Sequence, residues 1–358
     1  MAKKDRIYVC HTFYHVYISV IKELNLSKDM RGNASLVLST MSNDFGNIAD
    51  RILGTDLFTD VYMFDEKEDV VLPEVMKYHE DRGNLILNLL QRIKYTKALG
   101  RAQEEYVPVD FKEYKDIYVF CDLDPIGYYL NYKKIRYHAL EDGLDTVLYC
   151  DNARFSNIGH FEIKAFMAKI GLIFIENGYS KYCIDMEVNN AKDLKYPMSF
   201  YKEVPRKQLT DNVAEEDRHY LIDIFMENPD KLLKQVSRIK DDKRKVLILS
   251  DPVCDLVTRK KIMRDIIDRY CEDSTVFIKP HPRDVLDYDT DDFSDCIILK
   301  GRFPMEMMNY FPELHMDLAL SIFTTVDSIE FADEKIKLGA DFMDEYEDPA
   351  IHRENEQI

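Results

Sequence analysis

The residues that carry the most chemistry for their spacing are Lys279-Pro280-His281-Pro282-Arg283. They follow the apolar run Val276-Phe277-Ile278, which reads as a short buried strand. Each proline fixes its own φ and biases the residue before it toward extended backbone. His281 therefore leaves the strand's carboxyl end on a stiff chain, between two cations. In open α/β sheets ligands bind at that end. An imidazole beside Lys279 and Arg283 suits a phosphate group. The plainer alternative is a satisfied loop histidine in a Pro-rich turn.

Three other groupings follow strands. Ile135–Leu140 runs into Glu141-Asp142-Gly143. Neighbouring side chains on extended backbone point to opposite sides, so one carboxylate can meet a ligand while the other bonds the local backbone. Such a carboxylate can act as general base toward a hydroxyl; an ordinary Asp-Gly turn is the alternative. Ser321-Ile322-Phe323-Thr324-Thr325 sets hydroxyls and amides where an anion could sit at a helix start, or where a helix is simply capped. After Lys245–Leu249 comes Ser250-Asp251-Pro252-Val253-Cys254-Asp255, whose Asp251 and Asp255 are acids, bases or caps. Asp122-Leu123-Asp124 matches the acid-x-acid pattern of metal-dependent transferases. It stands before Pro125 in a strand-to-helix turn and reads as capping, so no metal site is expected.

These loops need a scaffold, and the hydrophobic pattern supplies one. Strands are expected at Ile7–Cys10, Ala34–Ser39, Val61–Phe64, Ile117–Cys121 and Ile135–Leu140, with helices between them, the longest over Asn84–Tyr106. Asp65–Val70 reads as exposed and acidic. Past Gly143 the pattern weakens: Phe161–Lys169 looks helical, and Leu172–Glu176 and Tyr182–Val188 look like strands. Met198–Asp211 reads as a linker. Helices are expected at Glu215–Met226 and Asp230–Ile239. Strand–helix alternation then resumes from Lys245–Leu249 through Leu318–Ile322, with a frayed acidic end from Asp341. Alternation of this kind gives parallel sheets. The expected organisation is α/β: two Rossmann-like, doubly wound domains, 1–200 and 201–358, facing across a cleft in the manner called GT-B. Epimerases and two-lobed binding proteins share that outline.

Composition narrows the partners. The chain has 358 residues, 46% of them hydrophobic, and a formal net charge of −18. General nucleic-acid binding does not suit that charge. Seven cysteines with no CxxC spacing read as reduced thiols of a cytoplasmic protein. The start of the chain reads as no signal peptide, and no apolar run reaches the length of a membrane span.

The order of the motifs resembles that of the bacterial sialyltransferases built on the GT-B fold. Their recurring acidic-acidic-Gly, His-Pro and Ser/Thr pair would here be Glu141-Asp142-Gly143, His281-Pro282 and Thr324-Thr325. Val9-Cys10-His11-Thr12-Phe13-Tyr14-His15 is similar to the opening of glycosyltransferase family 52, which holds lipooligosaccharide and capsular sialyltransferases and usually has Pro where this chain has Phe13. The resemblance implies an inverting, metal-independent transfer of sialic acid from CMP-sialic acid to a galactose-type hydroxyl of a surface glycan, with no cofactor. It also implies roles. Asp142, with Glu141 beside it and Asp255 as rival, would be the base. His281 would hold the phosphate, with Thr324, Thr325 and Ser321 around it, Lys279 in support and Pro282 fixing the turn. Apart from the resemblance, Gly143 allows close approach or positive φ, and the position of Glu306, just after Pro304 at a helix start, suits the ribose hydroxyls. Thr12, His15 and Asn43 would face the acceptor or the sugar. The expected place is cytoplasmic, with the inner face of a membrane and a homodimer, as related members can form, left open. A different nucleotide-linked donor, a glycerol-phosphate-type polymerase and a binding protein without activity stay open at this point.

Overall fold

A computed structural model of the protein describes residues 4–41, 43–120, 122–142, 151, 157–196, 198–226, 229–230, 234, 243–299, 303–311, 314–324, 326 and 329–352. Gly143 and Thr325 lie outside these, as does most of the helix expected over 230–239. The chain divides into two compact units, residues 1–220 and 221–358.

The first unit is built on strands β1 (Lys4–Cys10), β2 (Ala34–Ser39), β3 (Phe58–Phe64), β4 (Tyr114–Phe120), β5 (Tyr137–Leu140), β6 (Cys183–Val188) and β7 (Tyr201–Glu203). They lie in the order β3-β2-β1-β4-β5-β6-β7, every pair parallel. Val9 pairs with Val37 on one side and Val119 on the other. Ile7, Tyr8, Val9 and Cys10 are all buried. Both faces of β1 are therefore covered, and its sequence is continuously apolar rather than alternating. The chain winds outward from β1 to β3, then returns to place β4 on β1's other side. The direction reverses between β1 and β4, and that is where such sheets open for ligands.

The second unit repeats the plan with β8 (Lys245–Leu249), β9 (Thr275–Lys279), β10 (Ile297–Ile298), β11 (Met316–Ser321) and β12 (Ala332–Lys337). The order is β10-β9-β8-β11-β12, again parallel throughout. Here the reversal falls between β8 and β11. Each unit has its own core, one around Ile7, Val119 and Tyr137, the other around Ile248, Ile278 and Leu320.

Four expectations need correction. The segment read as a linker, 198–211, instead carries β7, paired to β6, and a helix over Arg206–Asp211. Both fall inside the first unit, so a boundary at 200 would cut its sheet. Leu172–Glu176 is no strand: Ile173 and Ile175 pack with Phe161 and Tyr179, while Phe174 packs with Leu99 and Tyr128. Helices bury both sides of that run. The acidic end is ordered where the helix Gly339–Met343 sinks Phe342 and Met343 into the second core. Strand β12 was not anticipated, because Asp333, Glu334 and Lys335 make it a charged edge strand.

Candidate active site

At the reversal point of the first sheet, β1 ends at Cys10 and delivers His11 and Thr12. Thr12 caps the helix Phe13–Leu24, its hydroxyl accepting the His15 N–H at 3.2 Å. That cap turns His15 inward. Its ring is fully buried and stacks on Phe120, the end of β4, with centroids 4.4 Å apart. The backbone N–H of His11 donates to His15 Nδ1 at 3.0 Å. Nδ1 is thus an acceptor, the proton sits on Nε2, and Nε2–H donates to Asp142 Oδ1. Burial, the largest influence, holds this imidazole below its ordinary value against the pull of Asp142, so it is neutral near pH 7.

Asp142 stands just past β5 with a third of its side chain exposed. Its neighbour Glu141 is buried and accepts the Asn189 N–H at 2.7 Å. Burial raises the Glu141 carboxyl above its usual range. The alternation expected of adjacent residues thus separates the two carboxylates, one tied to backbone and one backed by an imidazole. His15 does not face a substrate, as expected from sequence, but stands behind Asp142. Asn43 likewise turns inward, donating to the His11 carbonyl at 2.7 Å.

A second histidine was not singled out by its spacing. His11 Nε2 lies 2.8 Å from Glu66 Oε2 and 3.4 Å from Asp124. Burial works against the imidazolium, but Glu66, with Asp124 and Asp142, outweighs it and raises the group to about 9. His11 is therefore cationic at neutral pH, and its buried Nδ1 has no partner among the described residues. Glu66 lies in the stretch read as exposed yet is buried, accepting from the Ile126 N–H at 2.6 Å and the Ser39 hydroxyl at 2.7 Å. Its signal was its place two residues beyond the end of β3. Beside it opens a pocket of about 500 Å³, lined among others by Thr40, Asp65, Glu66, Lys67 and Tyr106. Asp122 is not the cap expected of it: it accepts from the Asn177 and Gly178 amides and the Tyr137 hydroxyl.

In the second unit, β9 ends at Lys279 and hands the chain to His281. The His281 N–H donates to Ser250 Oγ at 3.0 Å, and Ser250 donates to Asp284 at 2.5 Å. Asp284 in turn accepts from Arg259 and Tyr288, each at 2.7 Å. The Arg283 N–H donates to His281 Nδ1 at 3.1 Å. That fixes the tautomer, leaving Nε2–H as a donor without a partner among the described residues. Burial first, then the charge of Arg283, lowers the His281 pKa, so the ring is neutral near pH 7. Lys279 is buried, its Nζ lies 4.3 Å from the centre of the Phe303 ring, and burial pulls its pKa down to about 8.

The hydroxyl loop after β11 differs from expectation. Asp251, just past β8, accepts the amides of Ile322, Phe323 and Thr324 at 3.0, 3.0 and 3.1 Å, and the Thr324 hydroxyl at 2.6 Å. Ser321 donates to the Thr324 carbonyl at 2.6 Å. Of the described donors expected to hold a phosphate, Thr324 is thus engaged by a carboxylate just past the adjacent strand and Ser321 by a carbonyl. Asp255 caps the helix Leu256–Tyr270, its carboxylate accepting the Val257 and Thr258 amides. Glu306 sits in the short helical turn Met305–Tyr310, its carboxyl raised by burial. Among the described residues no three His, Cys, Asp or Glu side chains are grouped to hold a metal ion.

Two doubly wound parallel sheets in succession, each with its candidate side chains at the carboxyl ends of its strands, are the GT-B fold of glycosyltransferases. The sequence places it further: the model of glycosyltransferase family 52 matches residues 87–332, more than half of the chain, and the protein belongs to that family. Among solved structures, it is similar to the α/β-galactoside α-2,3-sialyltransferase of Photobacterium phosphoreum, with 14% identity over 94% of this chain and 91% of that one (TM-score 0.55). It is also similar to a 2,6-sialyltransferase from a Photobacterium species, solved with CMP and lactose, with 9% identity over 92% and 71% (TM-score 0.56). A third likeness is to the GT-B domain of the Photobacterium damselae sialyltransferase, with 12% identity over 89% and 86% (TM-score 0.51). No match was found among curated proteins. No helix among the described residues is long and apolar enough to cross a membrane.

Proposed function

We propose that the protein transfers sialic acid from CMP-sialic acid to a sugar hydroxyl with inversion at the anomeric carbon. The observation that carries this reading is the pair of preset imidazoles. One holds Asp142 from behind through its Nε2–H; the other, His281, presents an Nε2–H donor beside a buried lysine. The first unit supplies the acceptor side. Asp142 takes the proton of the acceptor hydroxyl as its oxygen bonds to the anomeric carbon. The pocket beside Glu66, with Tyr106 and carboxylates on its wall, has the chemistry to bind sugar hydroxyls. The second unit supplies the donor side. The bond to the CMP phosphate breaks, and the negative charge it leaves is met by His281 Nε2–H and Lys279. His281 acts as donor rather than acid, because its neutral ring suits a leaving group that departs without needing a proton. Thr324 and Asp251 shape the adjoining loop, and Glu306 remains the candidate for the ribose hydroxyls. Two unlike structures solved as sialyltransferases, one with CMP and lactose, support the reading.

The test is a donor panel with lactose-type and lipooligosaccharide acceptors, read by mass spectrometry, with and without excess chelator. Turnover of CMP-sialic acid in both conditions is expected. Turnover of a UDP-sugar or CDP-glycerol in its place would overturn the donor assignment, and strict dependence on Mg²⁺ or Mn²⁺ would overturn the metal-free chemistry.

A further inference from the structure

Strand β9 ends at Lys279, and Pro280 follows with no N–H to continue the ladder. Ser250, the first residue past β8, takes over. Its backbone N–H donates to the Lys279 carbonyl at 3.1 Å, and its hydroxyl oxygen accepts the His281 N–H at 3.0 Å. The chain then turns through Pro282, and the Asp284 N–H donates to the His281 carbonyl at 2.8 Å. The Asp284 side chain reaches back to the start of the same turn, where the Ser250 hydroxyl donates to its Oδ2. His281 is thus held at its N–H, at its carbonyl and, through the Arg283 N–H, at its ring.

The Asp284 side chain is fully buried, and both its oxygens are used twice. Oδ2 accepts from Ser250 and Tyr288; Oδ1 accepts the Leu286 N–H at 3.0 Å and Arg259 Nη1 at 2.7 Å. Burial alone would raise this carboxyl, but the Ser250 hydroxyl and the other donors outweigh it and hold the group below its usual range. Arg259 is buried too, and spends its remaining nitrogens on two carbonyls: Nε on Val253 at 2.7 Å and Nη2 on Cys254 at 2.9 Å. A buried ion pair is weak evidence for stability, because desolvation offsets much of its attraction. Its effect here is directional. From the helix Leu256–Tyr270, Arg259 ties the loop after β8 to the loop after β9, and the chain of bonds ends on the backbone of His281.

We propose that Ser250, Asp284 and Arg259 are positioning residues for His281, fixing the turn from which its Nε2–H is presented to the donor's phosphate. The role rests on the reading of His281 given above. Release of CMP from CMP-sialic acid in water measures turnover without an acceptor. Ser250→Ala is the variant of choice, since Asp284→Ala or Arg259→Ala would strand a buried charge. It should lower kcat by about 10- to 10²-fold in a protein that circular dichroism shows to be folded. In the His281→Ala background the same change should lower kcat by less than about twofold, because no imidazole is left to misplace. A general structural defect would instead lower kcat by the same factor in both backgrounds. Histidine-selective NMR gives a readout that needs no donor. The resonance missing from His281→Ala should show the Nε2–H tautomer alone in the unaltered protein and both tautomers in Ser250→Ala. Asp284→Asn, which keeps the shape but not the charge, carries the same two measurements if the alanine variant does not fold. Equal losses of turnover with and without His281, or a single tautomer retained in Ser250→Ala, would overturn the positioning role. Full turnover in His281→Ala would sink the reading of His281 and the role with it; loss in His281→Ala but none in Ser250→Ala would sink the role alone.

Discussion

His11 offers a sharp test, because its charge is set mainly by the buried carboxylate of Glu66. A rise from 6.5 to about 9 corresponds to about 3 kcal/mol of preference for the folded, protonated state. A raised value means that this stability is fully present below pH 6.5 and is lost as pH climbs through about 9. The perturbation is His11→Gln, which keeps an N–H for Glu66 but cannot titrate. Urea unfolding followed by circular dichroism at a series of pH values gives the free-energy gap between the two proteins. The gap should shrink by about 3 kcal/mol between pH 6 and pH 10. Histidine-selective NMR gives an independent readout: one of the nine histidine resonances, absent from the variant, should titrate near 9. Parallel stability profiles, or a resonance titrating near 6.5, would refute the charged His11–Glu66 pair.

Other expectations concern the reaction. Asp142→Asn should lower kcat by at least about 10²-fold while CMP binding persists. Asp255→Ala should leave kcat near normal and lower stability by about 1 kcal/mol, as loss of a helix cap does. The reverse pattern would move the base to the second unit. His281→Ala should reduce kcat by about 10² to 10³-fold, and unchanged turnover would remove His281 from the mechanism. Asp251→Ala strands three amides and a hydroxyl, so unfolding should cost at least about 2 kcal/mol less. A loss below about 0.5 kcal/mol would mean that water replaces the carboxylate without penalty.

Much of the scaffold was legible because parallel strands covered on both faces are written as plain apolar runs, as in Ile7–Cys10 and Val246–Leu249. The same cue misled at Ile173–Ile175, where helices rather than strands take up the apolar side chains. Charged β12 gave no cue at all. Within the site, His281 and Asp142 could be read from their position just beyond strands. The partners that fix them could not. His15 lies 127 residues from Asp142, and His11 lies 55 from Glu66. Only the strand order, which places β4 and β5 on one side of β1 and β2 and β3 on the other, brings such distant positions together. Asp251 was ambiguous for a related reason: an aspartate after a strand looks the same whether it caps, catalyses or, as here, ties two neighbouring loops.

Asp251 has a consequence for how substrate arrives. Because its carboxylate already satisfies the amides of residues 322–324, those residues are held in shape from within the protein. Immobilising a side chain on association typically costs about 0.5–1.5 kcal/mol, and here that entropy was surrendered during folding. On the donor role proposed above, nucleotide should therefore dock onto a preset rim, with little change in heat capacity from ordering of residues 322–324.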